Sequence, residues 1–161
     1  MRPYRDTRFS SDKTPYKTNV GIQFRHEAGK DIHAPGFYLH LEPGPCFAGV
    51  GLWHPETAVA RAIRQAIHDD PEAWAKATKH KGFTDTWSIG PDDDEMLKRV
   101  PAGLDPAHPH ADDLRLKSFI AGSRLTQRQV TTDGFDRELA TMFGKARAFT
   151  RFLCDAVGVP F

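Results

Sequence analysis

The sequence predicts an α+β fold, an antiparallel sheet of about four to six strands with helices packed on it and a long C-terminal helix among them. Three observations lead there. Short segments alternate apolar and polar residues, as half-buried strands do; two of them flank a Pro43-Gly44-Pro45 turn; and other segments repeat apolar residues at helical spacing. The chain has 161 residues, 39% of them hydrophobic and 27% charged, which suffices for the core of one domain. No repeat or polar linker divides it. A single domain over residues 1–161 is therefore expected, with residues 1–19 as a basic arm leading into the first strand.

In chain order, Val20 to His26 places Val20, Ile22 and Phe24 on one side and Gly21, Gln23 and Arg25 on the other, the pattern of a strand. Gly36 to Glu42 sets Phe37, Leu39 and Leu41 against Tyr38, His40 and Glu42, and Cys46 to Trp53 follows after the turn. If Leu41 faces Cys46, then Leu39 meets Ala48 and Phe37 meets Val50, and every apolar side chain of the hairpin falls on one face. Pro55 to Asp69 carries a helical stripe of Val59, Ile63, Ala66 and Ile67, and Pro71 to Thr78 starts a second helix with proline in its first turn. Phe83 to Ile89 reads as a short strand, and Asp92 to Val100 as a brief helix ending before Pro101. Leu104 to Asp113, rich in proline and histidine, reads as a loop, and Ser118 to Arg124 as a strand. Gly134 to Val157 is predicted as the long helix, with Phe135, Leu139, Met142, Phe143, Ala146, Phe149 and Leu153 as its apolar stripe.

Composition excludes several classes. With 22 Lys+Arg against 21 Asp+Glu, together with 11 Phe, 3 Trp and 3 Tyr, the chain is neither a polycation nor a disordered polar segment. Nothing approaches a membrane span, and the N-terminal residues lack the apolar run of a secretion signal, so no membrane partner and a cytoplasmic location are expected. Cys46 and Cys154 read as buried thiols. The neutral total hides an uneven distribution. Residues 1–30 carry seven basic side chains against Asp6, Asp12 and Glu27, whereas residues 69–95 carry eight acids against Lys76, Lys79 and Lys81. A localised cationic segment in a neutral chain suits a small anion or a local nucleic-acid contact better than wholesale coating of a polyanion.

Three constellations bear on chemistry. In the arm, Arg5, Arg8, Lys13 and Lys17 stand among hydroxyl groups and can hold a phosphate or carboxylate through charge-assisted bonds; the alternative is that they pair with Asp6 and Asp12 and fix a loop. The second is the polar side of the predicted sheet: Asn19, Gln23 and Arg25, then Tyr38, His40 and Glu42, then Trp53, with Gly21, Gly49 and Gly51 leaving room. His40 and Glu42, two residues apart on one strand, point the same way and suit an acid/base with a carboxylate to orient it. They would also serve as two metal ligands, with His54 beside the strand end; the alternative is that helices cover this face. The third is Asp105 to Asp113, with His108 and His110, which lacks an established metal-ligand spacing. There Asp105 suits an Asx turn, and Asp112 or Asp113 suits support of the following segment. No metal ligand and no cofactor are assigned. Phosphate-loop, dinucleotide and nucleophile-elbow motifs are missing.

The segments RDTRFSSDKTPYKTN (residues 5–19), GFYLHLEPG (36–44), GVGLWHPE (49–56) and LKRVPAGLDPAHPHADDLRLKSF (97–119) together resemble the conserved hypothetical family known as domain of unknown function 2461. The resemblance runs from Tyr4 over essentially the whole chain. Against the family's RDxRFSKDKxPYKTN pattern, Ser11 stands where lysine is common, and Val100-Pro101-Ala102-Gly103 replaces a Pro-Arg-Gly type of sequence. Members usually carry a helical region before the arm. The expectation is therefore an apolar patch of more than a few hundred Å² where such helices would pack, covered by a second copy or a partner protein. The resemblance brings no reaction with it.

The leading expectation is a small-molecule binding protein or enzyme acting on an anionic metabolite. Arg5, Arg8, Lys13 and Lys17 would hold the anion, with Asn19, Arg25, Tyr38 and Trp53 lining the site and His40 as acid/base oriented by Glu42. One alternative is a nucleic-acid binding module using the arm on phosphates and Tyr4, Phe9, Tyr16 or Trp53 for stacking. Another is a non-enzymatic interaction domain.

Overall fold

The computed structural model describes residues 18–24, 34–90 and 96–161. Alternation in the N-terminal third produces three strands, β1 (Val20–Phe24), β2 (Gly36–Leu41) and β3 (Cys46–Leu52). Phe37 pairs with Val50 and Leu39 with Ala48, the register that segregation of apolar side chains demands. The turn between β2 and β3 uses Gly44 at φ 113°, a backbone conformation that side chains with a Cβ rarely adopt.

Two helices follow, α1 (Thr57–Asp69) and α2 (Pro71–Thr78). Between them Asp70 accepts a bond from Ala73 N at 2.9 Å and caps α2, while Pro71 occupies its first turn, where a missing N–H costs nothing. Next come α3 (Lys81–Thr84) and β4 (Ser88–Ile89). The strand expected over Phe83 to Ile89 is thus mostly helical turn: His80 caps the turn through Phe83 N, and Phe83 and Trp87, four residues apart, both turn into the core. Of the helix expected over Asp92 to Val100, residues 92–95 lie outside the described residues, and Met96 forms an isolated bridge with Leu116 instead. Leu97 N donates to Arg115 O at 2.7 Å, and a cross-chain bond of that kind replaces the local ladder a helix would need.

The loop from Leu104 closes into α4 (Ala111–Leu114), with Asp112 and Asp113 in its first turn, and Asp105 makes the expected Asx turn by accepting from Ala107 N at 2.8 Å. After β5 (Phe119–Leu125) the turn α5 (Gln127–Val130) carries a capping box between Thr126 and Gln129. The long C-terminal helix is in fact two, α6 (Phe135–Lys145) and α7 (Arg147–Val157), broken at Ala146 where φ is -89° and ψ is 4°. Ala146 N closes onto Phe143 O three residues back, with the poor helix former Gly144 between them. The apolar stripe survives because residue spacing does not register a change of helix axis.

The sheet order is β1-β2-β3-β5-β4, antiparallel throughout. One face supplies Leu39, Cys46, Ala48, Val50, Leu52, Phe119, Ala121 and Leu125 to a core shared with α1, α2, α4, α6 and α7. At its centre Trp74 and Phe83 meet Phe149, with ring centroids 5.7 and 5.4 Å away. Burying each such ring contributes about 2 kcal/mol, which outweighs exposed ion pairs such as Lys81–Asp85. Under the edge strand cover is thinner: Ile22 and Phe24 remain 38% and 43% exposed, with Phe143 against Phe24 at 5.7 Å. Cys154 lies buried in α7, and burial, aided by Asp155, pushes its thiol up to about 11. Among the described residues no helix is long and apolar enough to cross a membrane.

Arg64 ties α1 to the chain entering β5. It is 9% exposed, and it donates from Nε to Leu114 O at 2.9 Å and from Nη2 to Leu116 O at 2.6 Å. Its guanidinium also lies 5.6 Å from the Phe119 ring. Burial lowers its pKa, because taking the guanidinium out of water disfavours its charge. Replacing Arg64 by Leu strands two buried carbonyl oxygens. The expected loss is about 3 kcal/mol of unfolding free energy in urea titrations, against less than about 0.5 kcal/mol for Arg61→Leu on the exposed side of the same helix.

Candidate functional site

Because strand side chains alternate, the register that sends Leu39 and Val50 inward sends a second set to the opposite face. Pairing aligns Gly21 with His40, Gln23 with Tyr38, Tyr38 with Gly49, His40 with Phe47, Phe47 with Arg124 and Gly49 with Gly122. No residue of this face joins the core cluster, and Phe47 is 38% exposed. Phe47 stands at the surface, whereas the His40 and Glu42 side chains keep 13% and 29% of their area exposed.

On it the side chains of Tyr38, His40 and Glu42 form a continuous row. Tyr38 Oη lies 3.2 Å from His40 Nδ1, and His40 Nε2 lies 3.4 Å from Glu42 Oε1. The imidazole stacks on Phe47, with centroids 4.8 Å apart and planes at 14°. With its proton on Nε2, toward the carboxylate, the neutral imidazole accepts at Nδ1 from the Tyr38 hydroxyl; with a proton on Nδ1 it donates to the phenolic oxygen instead. The row is a line of polar groups in contact, the phenol hydrogen-bonded to the imidazole and the carboxylate 3.4 Å beyond it.

Two features hold the row in place. Tyr38 reaches His40 by lying across Gly21, where a Cβ would stand 2.6 Å from Tyr38 Oη. The Glu42 end is fixed by Gln127, whose Nε2 donates to Glu42 O at 2.6 Å and to Gly44 O at 3.1 Å. A third glycine, Gly51, sits at φ 118° with its Cα hydrogen facing the Phe119 carbonyl so closely that any Cβ would collide with it.

The structure thus brings together Tyr38, His40 and Glu42. Asn19 is half-buried and immediately precedes β1; continuing the Val20–Leu41 register by one residue places it beside Glu42. Trp53 is not part of the row: it follows the end of β3, is 63% exposed and packs edge-on against His54 at 4.6 Å. Arg5, Arg8, Lys13, Lys17 and Arg25 lie outside the described residues. Gln127 is an addition, and Arg124 stands on the same face at a distance from the row. Arg124 lies within the predicted strand, but only the pairing of β5 with β3, distant in sequence, places it beside Phe47.

The histidine-rich loop has a local structural role. His108 Nδ1 accepts from His110 N at 3.1 Å, and His110 Nδ1 meets Asp113 Oδ2 at 3.1 Å. That carboxylate oxygen also accepts from Trp74 Nε1 at 2.7 Å. Among the described residues no three His, Cys, Asp or Glu side chains are arranged to hold a metal ion.

Compared with known proteins, residues 1–152 match a family model described as Conserved hypothetical protein (DUF2461). No curated protein and no solved structure matches the chain.

The dependence of Tyr38 on Gly21 is open to test. In Gly21→Ala the new methyl displaces the phenol from His40, and the His40 Nδ1 nitrogen-15 shift moves as it does in Tyr38→Phe. The stability cost stays below about 1 kcal/mol, because the displaced atom is the tip of a long side chain.

Proposed function

Since the chain belongs to the DUF2461 family, a membership that brings no reaction with it, we propose from the site itself that the polar sheet face and the basic arm together bind an anionic small molecule. The observation that carries this reading is the row Tyr38–His40–Glu42, an interacting set of polar side chains standing on a face that the core does not need. Buried polar networks that serve only stability are usually enclosed; one left at the surface is available to a ligand. The arm supports the reading through its point of entry. It ends at Asn19, directly before β1, whose first residue Val20 pairs with Leu41 beside Glu42, so the sequence that carries Arg5, Arg8, Lys13 and Lys17 enters the sheet close to the row. The cations supply charge for a phosphate or carboxylate, and the row supplies directional hydrogen bonds. If the protein is catalytic, the reaction is a proton transfer with His40 as the exchanging base and Glu42 holding its ring.

Thermal unfolding in the presence of phosphorylated and carboxylated metabolites tests this. A ligand present at a hundred times its Kd stabilises the fold by about 2.7 kcal/mol, seen as a rise in Tm of roughly 5–10 °C. Arg8→Gln and Lys13→Gln reduce the rise. Arg124→Gln does not, because Arg124 is two strands away from the row, beyond Phe47. Absence of any shift across both ligand classes overturns the proposal.

A further inference from the structure

The histidine-rich loop, which the proposed site does not use, holds a cluster of three imidazoles. His68, near the end of α1, lies flat against His108, with centroids 5.1 Å apart and planes at 23°, and the His110 ring lies 5.9 Å from His108. Each outer ring has a carboxylate of its own. His68 Nδ1 lies 3.2 Å from Asp69 Oδ1, and hydrogen bonds from His68 and Gln65 hold the Asp69 carboxyl below its ordinary range. His110 Nδ1 lies 3.1 Å from Asp113 Oδ2. Among the described residues no carboxylate contacts the middle ring. Its Nδ1 accepts from the His110 backbone N–H at 3.1 Å, and because a backbone amide can only donate, the proton of neutral His108 is on Nε2. That nitrogen is buried and meets no hydrogen-bond partner among the described residues. The other charged groups of the neighbourhood are engaged elsewhere: Asp105 with Ala107 N, Asp112 with Arg115, and Arg64 of α1 with Leu114 O and Leu116 O. From α2 comes the Trp74 indole, which donates to Asp113.

The closed loop therefore needs His108 neutral. A second proton has to go on Nδ1, where it points at the His110 N–H, so that two donors face each other. It also charges a ring whose Nε2 is already out of water, between two imidazoles that each have a carboxylate ready to pair with a charge of their own. We propose that His108 is an acid-operated clasp: protonation drives its ring out of the cluster and releases the surrounding loop from α1. The release reaches α4 and α2 through two further bonds. Ala111 N donates to His108 O at 2.9 Å at the start of α4, whose N-cap residue His110 makes no side-chain capping bond, and Asp113 in the same helix carries the Trp74 indole. The opened loop binds one proton more than the closed one. The clasp is thus held at higher pH and weakens as pH falls through the range in which imidazoles charge, about pH 6.5.

Nitrogen-15 spectroscopy of the full chain from about pH 7.5 to about pH 5.5, the span over which imidazoles take their proton, tests this. At the upper end the His108 ring resonances place the proton on Nε2. As Nδ1 gains its proton, the protection of the His110 amide against hydrogen exchange falls about tenfold or more, and the Trp74 indole resonance moves with it, while the amide of Ile63 in the core keeps its protection. In His108→Asn the side-chain oxygen takes the place of Nδ1 as acceptor and does not titrate, so the His110 amide stays protected throughout. A neutral ring with its proton on Nδ1 overturns the proposal, and so does charging of His108 with the His110 amide still protected; both are read on the unmodified protein, whatever the variant's stability. A fall in protection that persists in His108→Asn overturns it as well, because it then belongs to another group.

Discussion

Strand register is the constraint on which the rest of this molecule depends. A slip of one residue between β2 and β3 would turn Leu39, Ala48 and Val50 toward water and carry Tyr38, His40 and Glu42 into the core. Each large apolar side chain so exposed forfeits about 2 kcal/mol, and a buried carboxylate would cost several more. The pattern that makes the core thus also decides that the polar row stands on the outer face. Helices need only one apolar face to pack on. Having one, α1, α2, α6 and α7 pack their apolar residues on that face.

Within that frame the row is made by small adjustments rather than by a separate structural element. Gly21 gives the phenol of Tyr38 its place, Phe47 supports the imidazole from below, and Gln127 anchors the turn that follows Glu42. Two neighbouring strands and a helical turn contribute one group each. No single contact is strong, but every rotation that would let the imidazole swing away is opposed by a neighbour, and that is the condition for a directional site.

The alternation of β1, β2, β3 and β5 was legible in the sequence, as was the stripe of α1 and the proline start of α2, because each is a local pattern read over a few residues. So was the grouping of Tyr38, His40 and Glu42, which needs only a period of two. The Phe83 to Trp87 turn was not, since apolar residues at positions 83, 87 and 89 fit a strand and a helical turn alike, and the His80 cap decided between them. The break at Ala146 was hidden because Phe143, Ala146 and Phe149 keep helical spacing through it. Trp53 was grouped with the row by extrapolating β3 beyond Leu52, where the strand ends and the chain bends. Arg124 and Gln127 could not be placed from local pattern at all: their neighbours lie about 80 residues upstream, and only tertiary pairing connects them.

The adjacency of β3 and β5 has a kinetic side. Residues 53–118 lie between them, so the sheet cannot be completed by zipping one hairpin after another. Its central pairing must wait for a long loop to close, and in the folded chain Arg64 binds the backbone just ahead of β5. The β2–β3 hairpin, by contrast, closes over a four-residue turn and can form on a microsecond scale. Tyr38, His40, Glu42 and Phe47 all belong to that hairpin. Their arrangement is therefore among the earliest parts of the molecule that can assemble, and what arrives last is the second half of the sheet that keeps it from fraying.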